Sequence, residues 1–211
     1  MRGVRNAGLP ALHFRSASDG PRAAKHWKRI MDDLDPQSGI LPGLKLDGLA
    51  LRAPRAADAA RIADLANDYE IAKMTTNLPF PYRRQDAEAF FARMEAADRA
   101  REAVFVIEDR ADGPVGMIGF HPNGVLGPEI GYWVGRPFWG RGVATRAASA
   151  ALAWASQTWR RKVVVSGHFA DNPASGRVLE KAGFLYTGEV QPRRSVARGT
   201  IAPTRMMVWL A

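Results

Sequence analysis

Past the middle of the chain, residues 135–144 read GRPFWGRGVA. This stretch follows an alternating apolar segment, 129–134, and opens an Ala-rich segment, 143–157, so we expect a strand, a turn and a helix. Glycines leave backbone N–H groups free to face a ligand. The helix N-terminus adds further N–H groups and a partial positive charge, which suit a pyrophosphate. The stretch therefore predicts a phosphate-binding loop.

Two other phosphate-binding patterns do not match this loop. A Walker A loop needs Gly, four residues, Gly, Lys and a hydroxyl residue. Gly135 and Gly140 have that spacing, but Arg141-Gly142 follow, so the hydroxyl that would hold Mg²⁺ is missing. A dinucleotide fingerprint needs a third glycine where Thr145 stands. A glycine-rich turn that binds no ligand is the remaining alternative on spacing alone.

The periodicity on both sides of the loop predicts a mixed α/β fold. Before it we expect a strand at 49–52, helices at 57–65, 69–74 and 85–100, and strands at 104–107, 115–120 and 129–134. After it we expect a helix at 143–157, a strand at 163–165, a helix from Pro173 to Gly183, and strands at 184–188 and 206–210. This order indicates a mostly antiparallel central sheet with flanking helices rather than a regular βαβ repeat.

Four motifs in this region resemble the GNAT superfamily of acetyl-CoA-dependent N-acetyltransferases, particularly the branch that contains the ribosomal-protein N-terminal acetyltransferases. In chain order they are EIGYWV at 129–134, WGRGVAT at 139–145, NPAS at 172–175 and LEKAGF at 179–184. Trp139 stands where the superfamily usually has Gln or Arg, a replacement common in this branch. The resemblance implies the GNAT acyl-CoA N-acyltransferase fold for a domain at residues 47–211.

The resemblance also implies a binding site for acetyl-CoA as co-substrate, without a metal. Backbone N–H groups of the loop would hold the pyrophosphate. The pantetheine arm would lie where the central strand separates from the strand at 163–165. The cofactor-binding residues implied in this way are Val134, Trp139, Gly140, Arg141, Gly142, Val143, Ala144, Thr145 and Asn172.

Two residues are candidates for the chemistry. Ser175 matches the position at which this branch has a serine near the CoA sulfur, where it would donate a hydrogen bond or proton to the departing thiolate. A serine that caps the first helical turn is the alternative. Glu129 is a candidate general base acting through a water, because a carboxylate partly buried beside a cleft can have a raised pKa. An outward-facing residue at a strand start is the alternative. His121 and His168 also follow predicted strands and could exchange a proton near neutral pH.

Composition and charge exclude several classes of protein. The 211 residues contain no cysteine, which excludes disulfides and cysteine nucleophiles and fits a reducing, cytoplasmic compartment. No apolar run approaches the length of a bilayer span. Of the net charge of +9, residues 1–30 carry +6, with seven basic residues and one acid. We therefore expect a basic, poorly ordered extension at residues 1–46, and no nucleic-acid partner for the folded domain.

These observations predict an N-acetyltransferase that transfers acetyl directly to a primary amine, as a monomer or a homodimer. The branch favours a protein N-terminal amine, and a small-molecule amine such as an antibiotic or polyamine is the alternative. The segment 77–84 and a loop carrying Arg193, Arg194 and Arg198 are expected to border the acceptor. Two other interpretations remain: a CoA-binding protein that has lost catalysis, and a nucleic-acid- or ribosome-binding protein that uses its basic tail.

Overall fold

A computed structural model describes residues 44–46, 48–124 and 126–211, which form one eight-stranded sheet flanked by five helices. The strands are β1 (Leu44–Leu46), β2 (Leu49–Arg52), β3 (Ala103–Asp109), β4 (Gly113–His121), β5 (Glu129–Val134), β6 (Val163–Phe169), β7 (Leu185–Ser195) and β8 (Thr200–Leu210). The helices are α1 (Ala59–Ala66), α2 (Tyr69–Ala72), α3 (Arg84–Glu95), α4 (Val143–Gln157) and α5 (Pro173–Lys181), with 3-10 turns at Ala56–Asp58 and Arg136–Phe138. The predicted mixed, mostly antiparallel α/β class is confirmed.

The sheet has the strand order β1-β2-β3-β4-β5-β6-β8-β7. All neighbouring pairs are antiparallel except β5 and β6, which run parallel. These two strands share a single ladder position, Glu129 opposite Val165, at the beginning of β5. Beyond that point they separate, which leaves a gap in the middle of the sheet beside the second half of β5.

The two faces of the sheet are covered by different helices. On one face, α1 and α3 enclose a buried cluster that includes Ile62, Ala87 and Val104, and Trp133 of β5 packs against it. On the other face, α4 buries Trp154, whose ring centroid lies 5.2 Å from that of Phe105. We call these the α1/α3 face and the α4 face. A side chain on β5 reaches one face or the other according to its parity.

The predicted bounds of β2, β5 and α4 agree with the structure, and those of α3 do not. α3 ends at Glu95 rather than at residue 100. The side chain of Asp98 accepts a hydrogen bond from the backbone N–H of Ala100 at 2.9 Å and holds a separate turn there. Such side-chain bonding to nearby backbone competes with the helix, which the apolar spacing alone could not show.

Both ends of the sheet extend further than the sequence indicated. β7 and β8 have eleven residues each, so Arg193 and Arg194 lie in a strand and not in the predicted loop. At the other edge, β1 pairs with β2, so the sheet begins at Leu44, ahead of the predicted domain start at residue 47. Residues 1–43 of the predicted extension lie outside the described residues. Within the described chain, no helix is long and apolar enough to cross a membrane.

Candidate active site

A cleft of about 590 Å³ opens at the gap between β5 and β6. This volume is typical of small-molecule sites. Tyr132 and Trp133 both line the cleft, and because successive side chains of a strand point to opposite faces, the cleft passes through the sheet. Eight of the nine predicted cofactor-binding residues line it: Val134, Trp139, Gly140, Gly142, Val143, Ala144, Thr145 and Asn172.

One end of the cleft, the loop end, is formed by residues 138–145 with the exception of Arg141, and it includes two glycines. Gly140 and Gly142 have φ values of 74° and 72°, in the left-handed region that favours glycine. Gly142 is the N-cap of α4, and the N–H groups in the first turn of an α-helix have no intrahelical acceptor. Val143, Ala144 and Thr145 bring this first turn to the cleft wall. The arrangement suits an anion such as a pyrophosphate.

The side chains of Trp139 and Arg141 have different roles in the loop end. The indole Nε1 of Trp139 donates to the carbonyl oxygen of Val134 at 2.6 Å, which fixes the loop against the end of β5. The guanidinium of Arg141 lies 3.9 Å from the Asp112 carboxylate and 5.4 Å from the centroid of the Phe138 ring. Arg141 does not line the cleft.

Where β6 separates from β5, two carbonyl groups of β5 accept hydrogen bonds from side chains instead of from a neighbouring strand. Ser166 Oγ donates to the carbonyl oxygen of Ile130 at 3.0 Å, and Trp139 donates to that of Val134. Backbone groups two residues apart in a strand point the same way, so the N–H and C=O of Tyr132 also face the gap. This edge can therefore hydrogen-bond an extended chain that carries amides.

Ser175 lies in the cleft wall formed by α5 and is held by two neighbours. The backbone N–H of Ser175 donates to the side-chain oxygen of Asn172, the N-cap of α5, at 3.2 Å. The phenol oxygen of Tyr132 lies 2.9 Å from Ser175 Oγ and 3.1 Å from its carbonyl oxygen. Burial raises the pKa of Tyr132 to about 12, so the phenol keeps its proton at neutral pH. When that proton is donated to Ser175 Oγ, the serine hydrogen is free to point into the cleft.

Glu129 lies at the beginning of β5 and does not line the cleft. Its carboxylate accepts hydrogen bonds from Arg193 of β7 and from the amide nitrogen of Asn123, the latter at 2.7 Å. By parity its side chain shares the α1/α3 face with Gly131 and Trp133. Glu129 is thus an ion-paired carboxylate. On its face of β5, only Gly131 lies between it and Trp133, which lines the cleft.

The opposite end of the cleft, the α2 end, is formed by Glu70, Ile71, Met74, Thr75 and Asp171. The turn between β7 and β8 closes over it. Arg198 donates to the Asp171 carboxylate at 2.7 and 3.1 Å and also to the carbonyl oxygen of Lys73. The hydrogen bond from Arg198 lowers the pKa of Asp171, so this carboxylate is ionised at neutral pH. Arg198 therefore ties the hairpin to both walls of the α2 end.

Two cations in the cleft wall were not found from the sequence. Arg177 and Lys181 of α5 both line the cleft. They are four residues apart and so lie on the same side of the helix. That spacing, immediately after the Asn172 motif, is the signal that could have identified them. Their charges suit a ligand with phosphate groups.

The two histidine candidates lie outside the cleft. His121 Nδ1 is 2.6 Å from a carboxylate oxygen of Glu102. His168 is buried, with Nδ1 2.9 Å from the carbonyl oxygen of Phe169 and Nε2 2.9 Å from the phenol oxygen of Tyr186. These contacts fit structural roles. In the part of the chain that the structure describes, no group of three or more His, Asp or Glu residues is arranged to hold a metal ion.

Residues 49–185 match the family model described as "Acetyltransferase (GNAT) domain". The match extends over more than half of the chain, from β2 through α5 to the start of β7. The chain therefore belongs to the GNAT acetyltransferase family, and the predicted acyltransferase class is confirmed. No relative was found among curated proteins.

Solved structures share the fold over most of their length. A GNAT-family acetyltransferase from Bacillus anthracis is 20% identical with a TM-score of 0.69, covering 80% of this chain and 98% of that one. The ribosomal-protein-S5-alanine acetyltransferase from Vibrio fischeri is 15% identical with a TM-score of 0.69, covering 80% and 96%. A spermidine N-acetyltransferase from Vibrio cholerae, solved with CoA and spermine, is 22% identical with a TM-score of 0.66, covering 77% and 95%.

Proposed function

We propose that this protein transfers the acetyl group of acetyl-CoA directly to a primary amine, and that the cleft through the sheet holds both substrates. The observation that carries the proposal is the course of the cleft, which runs from the glycine-rich N-terminus of α4, through the gap beside β5, to α2. The first part suits a pyrophosphate, and the gap suits a narrow chain. The far end leaves room for a second substrate.

The loop end and α5 provide the groups that acetyl-CoA requires. The N–H groups of Gly142 to Thr145 would bind the pyrophosphate, with Arg177 and Lys181 near the other phosphate charges. The backbone of Tyr132 and the amide of Asn172 would bind the pantetheine amides. The fold neighbour from Vibrio cholerae was solved with CoA, which supports the same type of ligand here.

The transfer itself needs an amine nucleophile and a stabilised leaving group. The amine nitrogen attacks the thioester carbonyl carbon, and the resulting tetrahedral intermediate collapses with cleavage of the C–S bond. Ser175 Oγ would donate a hydrogen bond to the sulfur, which leaves as the CoA thiolate, and the contact with the Tyr132 phenol holds Ser175 Oγ in place. Because the sequence contains no cysteine, a cysteine acyl-enzyme has no place in the reaction.

Glu129 would accept the proton of the attacking amine through a water. A Cβ built on Gly131 meets no atom within 4 Å, so there is open space between the Glu129 position and the cleft at Trp133. Arg193 and Asn123 hold the carboxylate in place. A bridging water in this space could relay the proton from the amine to Glu129.

The acceptor that we favour is a protein N-terminal amine. The loop with Trp139 resembles the branch of ribosomal-protein acetyltransferases, and the Vibrio fischeri neighbour has such an activity in its name. A polyamine is the second candidate. It is favoured by the spermidine acetyltransferase among the fold neighbours.

The acceptor can be tested with acetyl-CoA and three probes, with acetylation followed by mass spectrometry. The probes are a peptide with a free N-terminal Ala, the same peptide with a blocked N-terminus and an internal Lys, and spermidine. We expect the free N-terminal peptide to gain one acetyl group and the blocked peptide none. Acetylation of spermidine alone would overturn the N-terminal acceptor and support the polyamine.

A further inference from the structure

We infer that Gly131 is a specificity-determining residue, and that its missing side chain forms the opening through which the acceptor amine reaches the thioester. This inference rests on the proposed transfer to an amine. It assigns the acceptor path to the α1/α3 face of the sheet, opposite the side from which Ser175 meets the cleft.

The fold itself gives no reason for glycine at position 131. Every other described glycine either has a positive φ or would bring an added Cβ to within 3.0 Å of a neighbouring atom. Gly131 has neither property, since its φ is not positive and its added Cβ meets nothing within 4 Å. Glycine weakens the interior of a strand, and there it often marks close approach of a ligand. Close approach of a ligand therefore accounts for a glycine at position 131, whereas packing and backbone conformation do not.

The register of the sheet shows which face the opening is on. Gly131 pairs with Gly119 of β4, and directly opposed residues point to the same face. A Cβ on Gly119 would lie 2.8 Å from Cγ2 of Val104, a member of the cluster under α1 and α3. The opening at Gly131 thus faces the same side as Trp133, which lines the cleft. Gly119 and Gly131 are thus neighbours on the same face, but only the space above Gly131 is open.

Groups suited to an amine surround this opening. Glu129 and Trp133 flank Gly131 on its own strand face, and Arg193 holds the Glu129 carboxylate. The backbone of the adjacent Tyr132 faces the gap that would hold the thioester. An amine entering over Gly131 would meet the thioester carbonyl from the side opposite Ser175. A side chain at this position would occupy that approach.

The test compares Gly131→Ala and Gly131→Val with the wild-type protein, using peptides that begin with Gly or with Ser. We expect the unfolding midpoint to be unchanged or raised, and the stabilisation by acetyl-CoA to be unchanged. Transfer to the Ser peptide should fall by about tenfold in Gly131→Ala and further in Gly131→Val, as misplacement of a reacting group predicts. Transfer to the Gly peptide should fall less, because its first residue is smaller. For a polyamine acceptor, spermidine and ethylenediamine take the places of the larger and smaller probes.

Gly119→Ala is the matched control, because it adds the same methyl group at the paired position. It should lower the unfolding midpoint and reduce transfer to both peptides equally. The inference is overturned if Gly131→Val transfers acetyl to both peptides like the wild type, or if Gly131→Ala loses stability or its response to acetyl-CoA. A wild-type protein that binds acetyl-CoA but acetylates no amine instead contradicts the proposed function, and the inference falls with it.

Discussion

The loop end and the α2 end of the cleft are built in different ways. The loop end consists of one continuous segment, residues 138–145, and acts through backbone N–H groups at the start of α4. The α2 end combines segments that are distant in sequence. Arg198 of the β7–β8 hairpin donates hydrogen bonds both to Asp171 and to the carbonyl oxygen of Lys73, next to α2. Under the proposed function, binding of acetyl-CoA would depend on local structure, whereas choice of the acceptor would depend on tertiary contacts. Substitutions at the two ends should separate the two functions.

The largest effect is expected at Gly142. In Gly142→Val, a branched side chain would be forced into the left-handed region and would occupy the space before the α4 N-terminus. We expect calorimetry to detect no binding of acetyl-CoA. Gly188→Val is the control, because Gly188 has a similar φ of 83° but lies in β7, outside the cleft. Both variants should lose stability through the strained backbone, by about 1–2 kcal/mol, but only Gly142→Val should lose the ligand.

The next effect concerns Ser175, where we propose that the two substrates meet. Ser175→Ala removes the donor to the thiolate and should lower kcat by about a hundredfold. The affinity for acetyl-CoA, measured by calorimetry, should change little because the backbone contacts remain. An unchanged kcat would leave Ser175 only as a residue of the first helical turn.

Tyr132→Phe should also lower kcat, because Ser175 loses the partner that orients its hydroxyl. If the two residues act as a unit, the double variant should be no slower than Ser175→Ala alone. Tyr186→Phe is the control, since its phenol bonds His168 outside the cleft. Additive losses in the double variant would show that Tyr132 and Ser175 act separately.

A smaller and pH-dependent effect is expected for Glu129→Gln. A glutamine keeps hydrogen-bonding capacity but cannot accept the proton of the amine. We expect a loss of kcat/KM of about tenfold at low pH, which shrinks at higher pH as more of the amine is already deprotonated. A pH profile parallel to that of the wild type would contradict Glu129 as the base.

The smallest effect is expected for Arg198→Ala, which should change only the α2 end. Loss of the tie to Asp171 and Lys73 should raise the KM for the amine several-fold and leave binding of acetyl-CoA unchanged. Steady-state kinetics with each substrate varied in turn will measure the two separately. The exposed neighbour Arg194→Ala is the control. A parallel loss of acetyl-CoA affinity would show that the two ends are not separable.

The same variant has a consequence for stability in acid. Arg198 lowers the pKa of Asp171, so the pair contributes stability above the ordinary pKa of an aspartate. That contribution is lost as the pH falls through the lowered pKa of the folded protein. The difference in unfolding midpoint between wild type and Arg198→Ala should therefore shrink as the pH is lowered into this range.

Sequence patterns predicted the loop end better than the α2 end, for a physical reason. The strand 129–134 and the helix 143–157 have the predicted bounds, because hydrophobic period and glycine position act within a few residues. The motif residues then converge on one cleft because they lie in consecutive elements. Arg141 is the exception, because it does not line the cleft. Its side chain lies against Asp112 and Phe138, and the loop motif contains no information on these contacts.

The α2 end and the ion pair of Glu129 depend on contacts that no local pattern contains. Arg193 pairs with Glu129 across 64 positions, and Arg198 reaches Lys73 across 125. The predicted loop is correct for Arg198, which lies in the turn between β7 and β8, and wrong for Arg193, because the polar residues and Pro192 of β7 do not have the apolar period of a buried strand. β7 is instead an exposed edge strand, where polar residues and proline are tolerated. The arrangement of these residues could therefore not be predicted without the tertiary structure.

Thermal unfolding measures whether the cleft through the sheet binds acetyl-CoA. The wild-type midpoint is measured with acetyl-CoA, ATP or NADH, each at the same concentration. A ligand present at about 100 times its dissociation constant stabilises the folded state by roughly 2.7 kcal/mol. We expect a higher midpoint with acetyl-CoA and little change with ATP or NADH. An unchanged midpoint with acetyl-CoA, or an equal rise with all three ligands, would contradict this expectation.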